Sequence, residues 1–112
     1  MLPKKFRITK TKEIENVFKN GKSSFDQILG VKILKSSNDF SRFVVVVSAK
    51  VNKKAVVRNQ IKRRLHEIAR LHLTKIKPGF DFFILALPAA KAVTYQQLES
   101  SLAGHLKRLQ AL

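Results

Sequence analysis

Arg42-Phe43-Val44-Val45-Val46-Val47-Ser48-Ala49-Lys50 is the most β-prone run in the chain, and a few residues beyond it the apolar period changes. β-branched and aromatic side chains suit a pleated, buried surface, so Arg42 to Lys50 is predicted to be a strand, and a central one. Between Val57 and Leu73, Ile61, Leu65, Ile68 and Ala69 fall on one face of a helix of about four turns. Lys77-Pro78-Gly79 stops that helix, and Phe80-Asp81-Phe82-Phe83-Ile84-Leu85-Ala86-Leu87 reads as another buried strand, closed by Pro88.

Upstream, Thr11 to Gly21 is predicted to be a helix, with Thr11 as its cap, Glu13 and Glu15 in the first turn and Gly21 as the stop. Its inner face is Ile14, Val17 and Phe18. Phe25 to Leu34 suits a strand that buries Phe25, Leu29, Val31 and Ile33, and Ser36-Ser37-Asn38-Asp39 is a turn. Downstream, Thr94-x-x-Gln97 is a capping box opening a helix that carries Leu98, Leu102, Leu106 and Leu109. The order is α-β-β-α-β-α with room for a further strand. That is an α+β protein, one domain over residues 1–112 with no internal repeat.

Charge is the abnormal feature: 23 Lys and Arg against 7 Asp and Glu give a formal +16. Such an excess is tolerated where a polyanion supplies the counter-charge, either nucleic acid or an anionic membrane. No apolar run approaches a bilayer span, and Met1-Leu2-Pro3-Lys4-Lys5 has no apolar signal-peptide core behind it, so the expectation is a cytoplasmic protein without a membrane partner. The absence of Cys excludes zinc-finger modes of binding.

From Phe40 to His66 there is no acidic residue, while Arg42, Lys50, Lys53, Lys54, Arg58, Lys62, Arg63 and Arg64 supply eight cations. At 100° per residue Arg58, Lys62, His66 and Arg70 form one ridge beside the apolar face of the second helix. A solvated helix face is the bland interpretation, but the missing acids favour a polyanion partner. Lys53, Lys54, Arg58 and Asn59 also lie where the helix begins, and its free N–H groups and positive dipole end favour phosphate. Asn59 is read either as a helix cap or as a contact to a sugar or base edge.

A second constellation, Phe6, Arg7, Lys10, Phe18 and Phe25, interleaves aromatics with cations and suits a single-strand stacking platform. The competing interpretation puts Phe18 and Phe25 in the core. The seven carboxylates are scattered over separate elements, so no two-metal nuclease site is expected. His66, His72 and His105 lack the spacing of a nucleophile-base set and are expected at the surface or its boundary.

Val44-Val45-Val46-Val47-Ser48-Ala49-Lys50, followed by Lys53-Lys54-Ala55-Val56-Val57-Arg58-Asn59-Gln60-Ile61-Lys62-Arg63-Arg64-Leu65-His66-Glu67, resembles the signature of the ribonuclease P protein component family. Arg7-Ile8 with Glu13 to Gly21 resembles that family's first helix, and Leu87-Pro88 with Thr94-Tyr95 its last strand and helix. The resemblance implies a small α-β sandwich with a mixed sheet of about four strands and a left-handed βαβ crossover, against the usual right-handed preference. It implies a non-catalytic subunit of a ribonucleoprotein endonuclease that matures the 5′ end of tRNA, with ribonuclease P RNA and precursor tRNA as partners and no obligate protein partner. The hydrolytic chemistry, and the magnesium it needs, would lie with the RNA, and the protein would bind no cofactor.

By the same resemblance, Lys50, Lys53, Lys54, Arg58, Asn59, Lys62, Arg63, Arg64, His66 and Arg70 would contact the catalytic RNA. Arg7, Lys10, Ile14, Phe18 and Lys32 would form the cleft for the 5′ leader. Gln60 stands where the family's Arg-Asn-Arg core has its second Arg, Ile14 and Lys32 occupy positions often aromatic in relatives, and a glycine common before the signature is absent. A basic ribosomal or other structural RNA-binding protein is the alternative that composition alone would fit.

Overall fold

The computed structural model describes residues 2–112. Helix α1 spans Thr11–Asn20, β1 Lys22–Phe25, β2 Leu29–Lys35, β3 Arg42–Val46, α2 Ala55–His72, β4 Phe80–Ala86 and α3 Tyr95–Arg108. The expected run from Phe25 to Leu34 is thus two strands. Asp26 breaks it, accepting the backbone N–H groups of Ile28 and Leu29 at 2.7 and 2.8 Å and turning the chain into a hairpin. The possible further strand is β1.

The strands form one mixed sheet in the order β1-β2-β4-β3, with β3 and β4 parallel and the other pairs antiparallel. The central position expected for β3 belongs to β4, which pairs on both sides. β3 is an edge, covered only by the N-terminal segment: Arg7 bridges Phe43, and the Ile8 N–H donates to the Phe43 carbonyl at 2.8 Å. Helix α2 makes the crossover between the parallel strands.

Alternation along the strands builds two unequal cores. Phe43, Val45, Phe82, Ile84, Val31 and Ile33 face the buried stripe of α2 (Ile61, Leu65, Ile68) and that of α3 (Leu98, Leu102, Leu106). Phe43 and Phe82 stack there at 4.8 Å, a contact that adds about 1 kcal/mol to what area burial supplies. The opposite face packs only α1, through Val17 against Ile8 and Phe83. A single short helix cannot cover a four-stranded sheet, and this face stays partly open.

Helix ends follow local chemistry. The Thr94–Gln97 capping box is present in both directions, an arrangement that stabilises a helix start by about 1 kcal/mol. Thr11, expected to cap α1, lies inside the helix. Lys10 occupies the cap position without a side-chain bond. Gly21 ends α1 in extended geometry, and a Cβ there would lie 2.6 Å from the Val17 carbonyl oxygen.

Two histidines expected at the surface or its boundary are buried, His66 at 3% and His105 at 0% exposure. His105 lies at the centre of a polar clamp between the β1–β2 hairpin and α3. Its Nδ1 accepts from the Ser24 hydroxyl (2.7 Å) and from Arg108 Nη2 (2.9 Å), because an arginine only donates. Nε2 therefore carries the proton and approaches Asp26 Oδ2 at 3.2 Å, off the ideal hydrogen-bond direction. Ser101 donates to the same carboxylate oxygen at 2.7 Å. Burial pushes the His105 imidazole below its ordinary pKa, with Asp26 pulling the other way.

Candidate nucleic-acid interface

Helix α2 begins at Ala55, two residues earlier than its apolar period indicates. Asn52 Oδ1 accepts the Lys54 N–H at 2.8 Å, an Asx turn that leads the chain into the helix. Asn59 therefore lies past the first turn, exposed and outside any capping role. Arg58 folds back, its Nη1 donating to the carbonyls of Asn52 (3.0 Å) and Lys53 (2.8 Å). That fixes the guanidinium beside the helix N-terminus with its other N–H groups free, so fixed donors and helix dipole add at one place.

Lys50, Lys53, Lys54, Lys62 and Arg63 are exposed around it, and Arg64 is half-buried. None of these pairs with a carboxylate among the described residues. Arg70 differs: it holds Glu67 at 2.6 Å on the surface, so part of its charge is already answered. Arg42 leaves the basic surface altogether. Asp81 binds it at 2.9 and 3.1 Å and Glu13 at 2.8 Å, and these two carboxylates raise its pKa further. The triad ties α1 to β3 and β4.

His66 and Lys62 face the N-terminal segment across a niche of about 160 Å³ that Arg7 and Thr9 also line. Among the described residues, neither ring nitrogen of His66 has a hydrogen-bond partner, and Arg7 Nε is buried without one. Burial, then the charges of Lys62 and Arg7, push the His66 pKa down to about 4. Unpaired buried donors cost free energy unless something accepts from them. The niche is a concave, cationic pocket of the size of one oxyanion. Arg7, grouped by resemblance with the first-helix cleft, is placed here with α2.

On the open sheet face, cross-strand register lines up Lys32 with Phe83 and Val44, and Gly30 with Leu85 and Val46. Phe18 projects onto the first row at 47% exposure, meeting Phe83 edge-on at 5.3 Å, while Ile14 is half-buried beside it. Lys32 and Phe18, fourteen residues apart, are therefore brought together. Lys10 lies further along, on a polar cleft of about 490 Å³ that Glu13, Asn16 and Arg42 also line. Phe25, expected in the core, is 52% exposed. Its ring lies over Gly30, where a Cβ would come within 2.2 Å of it. A glycine inside a strand pattern signals such a close approach, and that signal was readable in the sequence.

Among the described residues no group of three or more His, Asp or Glu side chains is placed to hold a metal ion, and no helix is long and apolar enough to cross a membrane. Glu13, Asp81, Glu67 and Asp26 are each engaged by an arginine, serine or histidine.

Residues 2–110 match the protein family described as Ribonuclease P. Among curated proteins, the chain is 36% identical over 102 residues to the ribonuclease P protein component of Clostridioides difficile (strain 630), covering 90% of this chain and 89% of that one. It is 37% identical over 106 residues to the same component of Clostridium botulinum (strain 657 / Type Ba4), covering 94% and 95%. Among solved structures it is similar to the Staphylococcus aureus RNase P protein, with a TM-score of 0.87, 30% identity, and coverage of 95% of this chain and 96% of that one. The Thermotoga maritima RNase P protein gives 0.82 at 30% identity, covering 91% and 96%.

Proposed function

Because this chain belongs to the ribonuclease P protein family, the protein subunit of the endoribonuclease that matures tRNA 5′ ends, we propose how its surface serves that role. Helix α2 docks on the ribonuclease P RNA, and the open face beside α1 receives the 5′ leader of precursor tRNA. The observation that carries the docking is the niche of Arg7, Lys62 and His66, where buried Arg7 Nε and the His66 ring have no partner among the described residues, beside a helix start free of acids. A backbone phosphate supplies the acceptor these groups need and answers the surrounding charge.

The described carboxylates do not fit a protein-held catalytic metal, since no three of them are grouped to hold one and Glu13 and Asp81 are both bound to Arg42. In this reading the RNA holds the magnesium and performs the hydrolysis. The protein's share is electrostatic: it lowers the repulsion between two RNAs and so favours substrate binding at moderate magnesium. It works in the cytoplasm with RNA partners and needs no second protein.

The test is cleavage of precursor tRNA by a ribonuclease P RNA at moderate magnesium, with and without the protein. The protein should raise cleavage and do nothing alone. Efficient metal-dependent cleavage by RNA-free protein would overturn the assignment of chemistry to the RNA.

A further inference from the structure

Away from α2 lies a cleft of about 490 Å³, within the size range of small-ligand sites. Its apolar floor is Ile33, Phe80 and Leu109, with Leu34 at the edge of the lining. Three lysines, Lys22, Lys35 and Lys77, surround that floor, and no acidic side chain lines it. None of the three lysines pairs with a carboxylate among the described residues. Gln110 and Asn20, whose Nδ2 donates to Asn16 Oδ1 at 2.6 Å, complete the lining.

Gln110 adds a second observation. It is the one non-glycine residue with positive φ (59°) among those described. It ends α3: the Gln110 N–H donates to the Lys107 carbonyl at 3.0 Å and the Ala111 N–H to Leu106 at 2.9 Å. Glycine is the ordinary residue at such a helix terminus, because a Cβ is disfavoured in left-handed geometry. Here the strained position carries an amide that lines the cleft, and strain of this kind clusters at ligand sites. The Lys77 N–H donates to the Ala111 carbonyl at 2.7 Å, which fixes the Lys77 wall against the end of α3.

We propose that this cleft binds a mononucleotide unit, either a free nucleotide or an unpaired residue of an RNA strand. The flat base lies on Phe80 and Leu109, as aromatic floors accept any base through its π-face. Gln110 offers a donor and an acceptor to the base edge, Asn20, its Nδ2 held by Asn16, adds its carbonyl oxygen as an acceptor, and the lysines take the phosphate. A fatty-acid anion would leave the two amides unused. Inorganic phosphate would leave the floor unused. The site shares no lining residue with the Arg7–Lys62–His66 niche, so RNA docking through α2 can hold or fail independently of it.

The experiment titrates the full chain with AMP, with inorganic phosphate and with a single-stranded RNA tetranucleotide, following backbone amide NMR shifts. AMP should give saturable shifts at Lys35, Phe80 and Gln110, with at least tenfold weaker binding for phosphate. Lys22→Glu/Lys35→Glu should weaken AMP at least tenfold. Gln110→Gly, which relieves the strain, should keep or raise the melting temperature yet bind AMP several-fold less well. If the tetranucleotide competes with AMP and binds more tightly, the natural source is an RNA strand. If AMP binds and the tetranucleotide does not compete, it is the free nucleotide. Shifts confined to Arg7, Lys62 and His66, or equal affinity for AMP and phosphate, would overturn the proposal.

Discussion

The ammonium of Lys32 lies 4.1 Å from the centre of the Phe18 ring and donates to the Phe18 backbone carbonyl at 2.7 Å. One side chain thus fixes both the last turn of α1 and the ring that turn presents. A cation over an aromatic face is favourable by about 0.5–1 kcal/mol at an exposed site, and it leaves positive charge beside any base that stacks on the ring.

Phe18→Ala should therefore reduce affinity for precursor tRNA with a leader of about eight nucleotides by roughly 1–3 kcal/mol, and leave a one-nucleotide leader unaffected. Because the ring is half-exposed, the variant should lose less stability than the roughly 3–5 kcal/mol of a buried phenylalanine. Equal affinity losses for both leaders would return Phe18 to a purely structural role. Lys32→Ala should weaken the long leader as well, and with a stronger salt dependence than Phe18→Ala.

Arg58→Ala and Lys62→Ala should each weaken binding to the ribonuclease P RNA and reduce the salt slope by about one unit per lost phosphate contact. Lys107→Ala, on the exposed side of α3, is the control. Were it to weaken binding as much as Arg58→Ala, the surface would be a diffuse cation cloud with no docking helix.

Stability should fall with acid in a window that His66 sets. Its folded pKa of about 4 lies below the ordinary 6.5, so the unfolded chain binds the extra proton. The contribution is complete above pH 6.5 and is lost progressively as pH falls toward 4. At about 1.4 kcal/mol per unit, the upper bound is roughly 3.5 kcal/mol. The lowered His105 pKa acts in the same direction. Urea denaturation of the wild type and His66→Leu between pH 7.5 and 4.5 should show a shallower decline in the variant. Parallel curves would remove His66 as the cause.

Sulfate or phosphate should raise the melting temperature above that in chloride at equal ionic strength, because an anion in the Arg7–Lys62–His66 niche binds only the folded chain and offsets part of the +16. Arg7→Ala should diminish that gain. Identical melting temperatures in the two salts would show that the niche holds no anion.

Periodicity made the helices legible: Ile61, Leu65 and Ile68 mark α2, the capping box marks α3, and both bury the faces expected. Strand order left no trace of that kind. Arg42–Val46 and Phe80–Ala86 are both largely apolar, and what makes the first an edge is that β4 pairs with β2 on its other side, a contact between distant residues. Phe25 was expected inside on the strength of its side chain, and the flat seat at Gly30 lets it lie outside. The basic α2 face was visible as a gap in acids. The burial of His66 was not, since a histidine at helical spacing looks the same wet or dry. Neither was the withdrawal of Arg42 into a pair with Glu13 and Asp81, elements apart in sequence.

The place of β4 has a consequence for how the chain acquires its shape during synthesis. It is the last strand to be made, yet it lies between β2 and β3, and without it only the β1–β2 hairpin can pair. A nascent chain therefore carries most of its cations while it has no sheet to fold them onto, and assembly must wait until residue 86 has left the ribosome. Such late, long-range closure is slow and leaves apolar strands exposed. Self-repulsion of the highly charged chain keeps neighbouring copies apart during that delay.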